Sequence, residues 1–152
     1  MKIFARATVA GGLLAAAFLV PAHAQDAKPE DAVKYREGVM SVIGGHTGNF
    51  FSILQGKVPH KDALAYNADA LAAASKQVKA AFAQNTSGSG VKTEAKDAIW
   101  AAGSDFSKQA DDFEKAAVAL ASAVQAGDQA AIGAAAKGVG ASCKGCHDKF
   151  KD

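Results

Sequence analysis

The sequence predicts an all-α fold, an antiparallel four-helix bundle, and three observations carry that expectation. Apolar residues recur in alternating steps of three and four along four separate segments, the spacing of one helix face. Between the segments lie short stretches rich in Gly, Pro, Asn, Asp and Ser. No strand-like alternation of any length competes with them. Helices joined by short connections pack as antiparallel neighbours, up-down-up-down.

In chain order, the first element is a leader rather than a bundle helix. Lys2 and Arg6 precede an apolar run from Val9 to Val20, Pro21 breaks it, and Ala22-His23-Ala24 has the small-x-small pattern of a signal-peptidase site. The run is shorter than the about 20 residues a membrane-spanning helix wants. Residues 1–24 are therefore expected to be a cleaved signal peptide, with 25–152 forming the mature domain. Removing 24 of 152 residues leaves 128, enough for one domain with its own core.

The first bundle helix is expected over about Pro29 to Gln55, with Val33, Arg36, Met40, Ile43, Thr47, Phe50 and Leu54 on one stripe. Pro29 suits a first helical position, and Glu30 and Asp31 suit the positive end of the helix dipole. Gly56 and Pro59 end it. A second helix is read from about Lys61 to Gln84 through Leu64, Ala68, Leu71, Ser75, Val78 and Phe82, and Asn85 to Gly90, "NTSGSG", is a loop. A third is read from about Glu94 to Gln125, through Ile99, Phe106, Ala110, Phe113, Ala117, Leu120 and Val124. Gly127 closes it and Asp128 caps the fourth, which runs to about Phe150 through Ile132, Ala135, Val139, Cys143 and Cys146. The stripes are narrow and rich in alanine, so side chains alone would fill the core thinly. That pattern invites a bulky guest between the helices.

Charge narrows the partners. The chain holds 17 basic and 15 acidic residues, and loss of Lys2 and Arg6 with the leader leaves 15 of each. No basic excess or stripe remains, which argues against nucleic acid. No other long apolar run follows, so no membrane span is expected after cleavage. Nothing resembles a catalytic acid–base pair, and the chain is read as a non-enzyme.

Both cysteines fall in "VGASCKGCHDKF", Val139 to Phe150. Cys143-Lys144-Gly145-Cys146-His147 is C-x-x-C-H, the attachment signature of c-type haem. Positions three and four apart share one helix face. The two thiols can form thioethers to the two vinyl groups of one porphyrin, with the imidazole of His147 turned to the iron. Attachment also removes two thiols that an exported protein would otherwise oxidise. A thioredoxin-type C-x-x-C wants a βαβ context that is missing here. A zinc site wants further ligands, and His46 and His60 form no ligand pair. One covalent haem c is the cofactor expected.

With that motif on the last helix, the chain resembles the class II c-type cytochromes, the cytochrome c prime family. "KPEDAVKYREGVM" on the first helix, "KTEAKDAIW" entering the third and "VGASCKGCHDKF" at the end carry the resemblance, which covers nearly all of 25–152. The resemblance implies a haem-bearing four-helix bundle of the periplasm, often paired as a homodimer through its first two helices. It implies thioethers at Cys143 and Cys146, His147 as proximal ligand, and haem contacts from Arg36, Glu37 and Glu94. The family more often has glutamine where Glu37 stands, and many members have arginine where Lys151 stands.

Residue chemistry bears on the same positions. Arg36 shares a stripe with Met40, so either a haem propionate satisfies it or it snorkels to the surface. Glu94 is equally read as a first-turn acid of the third helix, and Trp100 as core. His46 lies about 120° around the helix from Met40 and is expected to be exposed.

Met40 occupies the family's distal position. With an open sixth site the protein would bind nitric oxide or carbon monoxide and also pass single electrons to a redox partner that the sequence does not identify. With His147–Met40 ligation it would be a dedicated low-spin electron carrier, since methionine ligation raises the potential. A methionine on a helix face also packs without bonding, and the "YREGVM" context favours the open site. Finally, Gly44, Gly45 and Gly48 in mid-helix each cost about 1 kcal/mol against alanine. They point to close approach of a neighbouring helix, the haem or a partner subunit.

Overall fold

The computed structural model describes residues 26–152, so the leader expected over residues 1–24 lies outside the described residues. Five α-helices follow in order: α1 Pro29–Leu54, α2 Leu64–Ser75, α3 Val78–Ala81, α4 Phe106–Ala126 and α5 Gln129–Phe150, with 3₁₀ turns at Lys61–Ala63 and Asp97–Ile99. No strand occurs among the described residues beyond one isolated bridge, Ala95 with Lys151. α1 packs on α2, α2 on α4 and α4 on α5, with α3 prolonging the second rod of a four-rod bundle.

α1 begins with Pro29, Glu30 and Asp31 in its first turn, where a missing N–H and negative charge are both favourable. Val33, Arg36, Ile43 and Phe50 of its expected stripe are buried. α5 starts at Asp128, whose carboxylate accepts from the amides of Ala130 and Ala131. Gly127 terminates α4 in the left-handed conformation at φ 72°, which glycine adopts without Cβ strain. The core unites Phe50, Leu71, Leu120, Ile132 and Val139, all nearly or wholly sealed from solvent.

Two elements differ from the sequence expectation. The second helix is not continuous from Lys61 to Gln84: it starts as a 3₁₀ turn, breaks at Lys76–Gln77 and ends with α3. Arg36 of α1 gives the reason for that end. Its guanidinium reaches the carbonyls of Ala81 and Gln84, which lie just where a longer helix would need partners. The third helix does not begin near Glu94 but at Phe106. Glu94 and Ala95 instead lie along the C-terminus, with Asp152 N donating to Glu94 O at 2.9 Å and Lys96 N to Phe150 O at 3.0 Å. Gly103 then takes φ 78°, a turn that an apolar periodicity reads through. Glu94 is therefore not a first-turn acid of a helix.

A cavity between the first and last helices

α1 and α5 are the two long helices that the bundle leaves poorly packed on one another. Between them opens a cavity of about 400 Å³. α1 lines it with Arg36, Glu37, Met40 and Ser41, and α5 with Cys146, His147 and Phe150. Val78, Phe82, Ile99 and Phe106 make its apolar inner wall, and Glu94 and Lys151 stand at its rim. The volume lies within the range of small-molecule and cofactor sites, about 300–1,000 Å³. Of the residues singled out from sequence, Arg36, Glu37, Met40, Glu94, Cys146 and His147 converge here. Cys143 does not line the cavity; it is half-buried beside the core, one helical turn from Cys146.

Neither cysteine is in a disulfide, and before any attachment burial pushes each thiol above its ordinary range. His147 is exposed toward the cavity, and its carbonyl accepts from Lys151 N at 3.1 Å. Among the described residues no group of three His, Cys, Asp or Glu side chains is placed to hold a bare metal ion.

Arg36 is 2% exposed and does not snorkel. Nε donates to Ala81 O at 3.4 Å, Nη1 to Thr86 Oγ1 at 3.2 Å, and Nη2 to Gln84 O and Thr86 Oγ1 at 3.4 and 3.3 Å. Its guanidinium carbon sits 4.8 Å from both the Phe82 and Trp100 ring centroids. Burial lowers its pKa, with Glu37 opposing. No carboxylate lies within ion-pair distance of it among the described residues, so a buried cation lines the cavity with only neutral partners. A guest with an anionic group suits that arrangement. Trp100 is more than core: its Nε1 donates to Phe82 O at 2.8 Å and holds the wall that Arg36 stacks on.

The partners of Arg36 were missed by sequence reading. Thr86 falls in "NTSGSG", whose composition signals only a loop. At the rim, Lys151 Nζ lies 2.8 Å from Glu94 Oε2, and this hydrogen bond holds the Glu94 carboxyl below its usual range. His46 is half-buried rather than exposed, with Nδ1 3.0 Å from Asn67 Oδ1 and its ring edge-on to Tyr66. Around Gly44, Gly45 and Gly48 no atom beyond the adjoining backbone of α1 comes within 4 Å of an added Cβ among the described residues, which removes the neighbouring helix as their explanation.

A largely apolar cavity between helices, a buried cation on its wall and C-x-x-C-H at its edge define a c-type haem protein built on a helical bundle. The sequence pattern described as Cytochrome C' matches residues 31–151. Cytochrome c' of Pararhodospirillum photometricum is 38% identical over 126 residues, covering 83% of this chain and all of that one. The solved cytochrome c' of Rubrivivax gelatinosus is 40% identical with a TM-score of 0.75, over 84% of this chain and 100% of that chain. A ferrous variant of cytochrome c prime from Alcaligenes xylosoxidans, solved with bound NO, is 34% identical with a TM-score of 0.73, over 84% and 98%. The chain belongs to the cytochrome c prime family. Like the family it binds one covalent haem c, and both of its cysteines are among the described residues.

Proposed function

We propose that this chain is a periplasmic haem protein that binds nitric oxide and carbon monoxide at an open sixth position and can pass single electrons. One observation carries the reading: Met40 of α1 and His147 of α5 line the same cavity. Haem, when bound, supplies a one-electron iron couple and an axial position for a small diatomic ligand. Cys143 and Cys146 anchor the porphyrin, and His147 offers its imidazole from the same turn of helix. The thioether of Met40 provides no hydrogen-bond donor, so the distal wall favours a neutral, weakly polar ligand. The relative from Alcaligenes xylosoxidans with bound NO supports that ligand class.

Arg36, with one Nη1 hydrogen uncommitted, offers a charge-assisted bond to a haem propionate. Glu37 and Glu94 line the same cavity and would serve as further haem contacts. Among the described residues no helix is long and apolar enough to cross a membrane. The same placement of Met40 would also serve a dedicated electron carrier with His147–Met40 ligation, and the "YREGVM" context of α1 favours the open site over it.

Covalent attachment is tested on a denaturing gel. The mature protein should retain its haem stain, and Cys143→Ala with Cys146→Ala should lose it. Acid-acetone extraction of all colour from the wild type would overturn the proposal.

A further inference from the structure

Arg36 lines the cavity between α1 and α5, and the residue that grips its guanidinium from behind, Thr86, does not. Thr86 Oγ1 accepts from both terminal nitrogens at 3.2 and 3.3 Å, the shortest of the four bonds the group makes; those to Ala81 O and Gln84 O are both 3.4 Å. Thr86 is 6% exposed, so water competes little for its oxygen. The Phe82 and Trp100 rings hold the cation by its charge and its flat shape. Stacking of that kind resists displacement more than rotation, whereas two donors converging on one oxygen fix the rotation. The hydroxyl itself comes from an ordered turn. Asn85 Oδ1 accepts from Ser87 N at 2.8 Å, Thr86 O accepts from Ser89 N at 3.3 Å, and Gly88 turns the chain at φ 70°.

We propose that Thr86 is a positioning residue for the haem: it fixes the Arg36 fork so that the uncommitted Nη1 hydrogen meets a propionate, and it thereby raises the reduction potential. The inference rests on the Arg36–propionate contact proposed above. A cation held beside the haem favours the ferrous state, which carries one positive charge less than the ferric state. That preference grows as the charges approach and as water is excluded from between them, so a fork free to turn away gives up part of it. Threonine suits the task because a hydroxyl oxygen accepts two hydrogen bonds and brings no charge. A carboxylate in its place would hold the guanidinium as firmly but would neutralise the charge that acts on the haem.

Three variants of the haem-loaded protein test it by potentiometry. Thr86→Val keeps the shape of the side chain and removes the acceptor, and Thr86→Ser keeps the acceptor. Asp128→Ala weakens the fold at the opposite end of α5 from His147. At a fixed applied potential the ferric-to-ferrous ratio should rise several-fold in Thr86→Val and stay at the wild-type value in Thr86→Ser and Asp128→Ala. A wild-type ratio in Thr86→Val would overturn the inference. So would an equal rise in Asp128→Ala, because loosening of the fold would then suffice, or an equal rise in Thr86→Ser. Independently, crystals of the haem-loaded wild type should show both Arg36–Thr86 bonds kept and Nη1 on a haem carboxylate. A guanidinium that has left Thr86 there would overturn the inference, whether or not any variant folds. A guanidinium still on Thr86 with no haem carboxylate in reach would instead sink the propionate contact, and the role of Thr86 with it, while leaving the gas-binding reading intact.

Discussion

Arg36 donates to Thr86 Oγ1 from both terminal nitrogens, at 3.2 and 3.3 Å, across 50 residues of sequence. This contact joins α1 to the segment that forms the inner wall of the cavity between α1 and α5. Arg36→Ala would strand the carbonyls of Ala81 and Gln84, and each buried group left unpaired costs about 1–3 kcal/mol. The Phe82–Arg36–Trp100 sandwich would be lost as well. Arg36→Lys should not rescue it, since an ammonium neither stacks between two rings nor forks to three acceptors. Thermal melts should place both variants well below wild type; a Lys variant melting with wild type would contradict this.

Asp128 caps α5 with two amide hydrogen bonds. Asp128→Ala is expected to cost about 1 kcal/mol, read in denaturant unfolding as a lower midpoint with an unchanged slope.

The Glu94–Lys151 pair predicts a dependence on acid. Lys151 lowers the Glu94 carboxyl below its ordinary value, so the pair contributes above the unfolded carboxylate range and fades as pH falls through the depressed value. Hydrogen exchange at the Lys96 and Asp152 amides, which bond across the same junction, should quicken more steeply on acidification in wild type than in Glu94→Gln. Both side chains are exposed, so added salt should shrink the difference.

Much of this was legible in sequence because it depends on local chemistry. Periodicity located α1 and α5, Gly127 and Asp128 marked the turn between α4 and α5, and the C-x-x-C-H spacing at Cys143, Cys146 and His147 pointed to haem c without any tertiary information. The inner wall was illegible for the converse reason. The end of the second rod is set by Arg36, 45 residues from Ala81, and the delayed start of α4 by Gly103 and by pairing of residues 94–96 with the C-terminus. Helical spacing continues through both breaks, so a periodicity argument passes over them. The half-burial of His46 likewise depends on Asn67 of a neighbouring helix.

The surface of α1 predicts self-association. From Gly38 to Gln55 the helix carries no charged residue, and Val42 is 50% exposed beside Gly44, Gly45 and Gly48. Sedimentation at high concentration should show a homodimer, and Val42→Lys should weaken it. A wild type that sediments only as monomer would remove the partner subunit as the reason for those glycines.

The absorption spectrum of the reduced protein, with and without Met40→Ala, tests the central claim most directly. An open sixth position predicts broad high-spin bands at neutral pH, binding of carbon monoxide without displacement of a protein ligand, and little spectral change in Met40→Ala. Sharp low-spin bands in wild type that vanish in Met40→Ala would contradict the account and make the protein a His147–Met40 electron carrier.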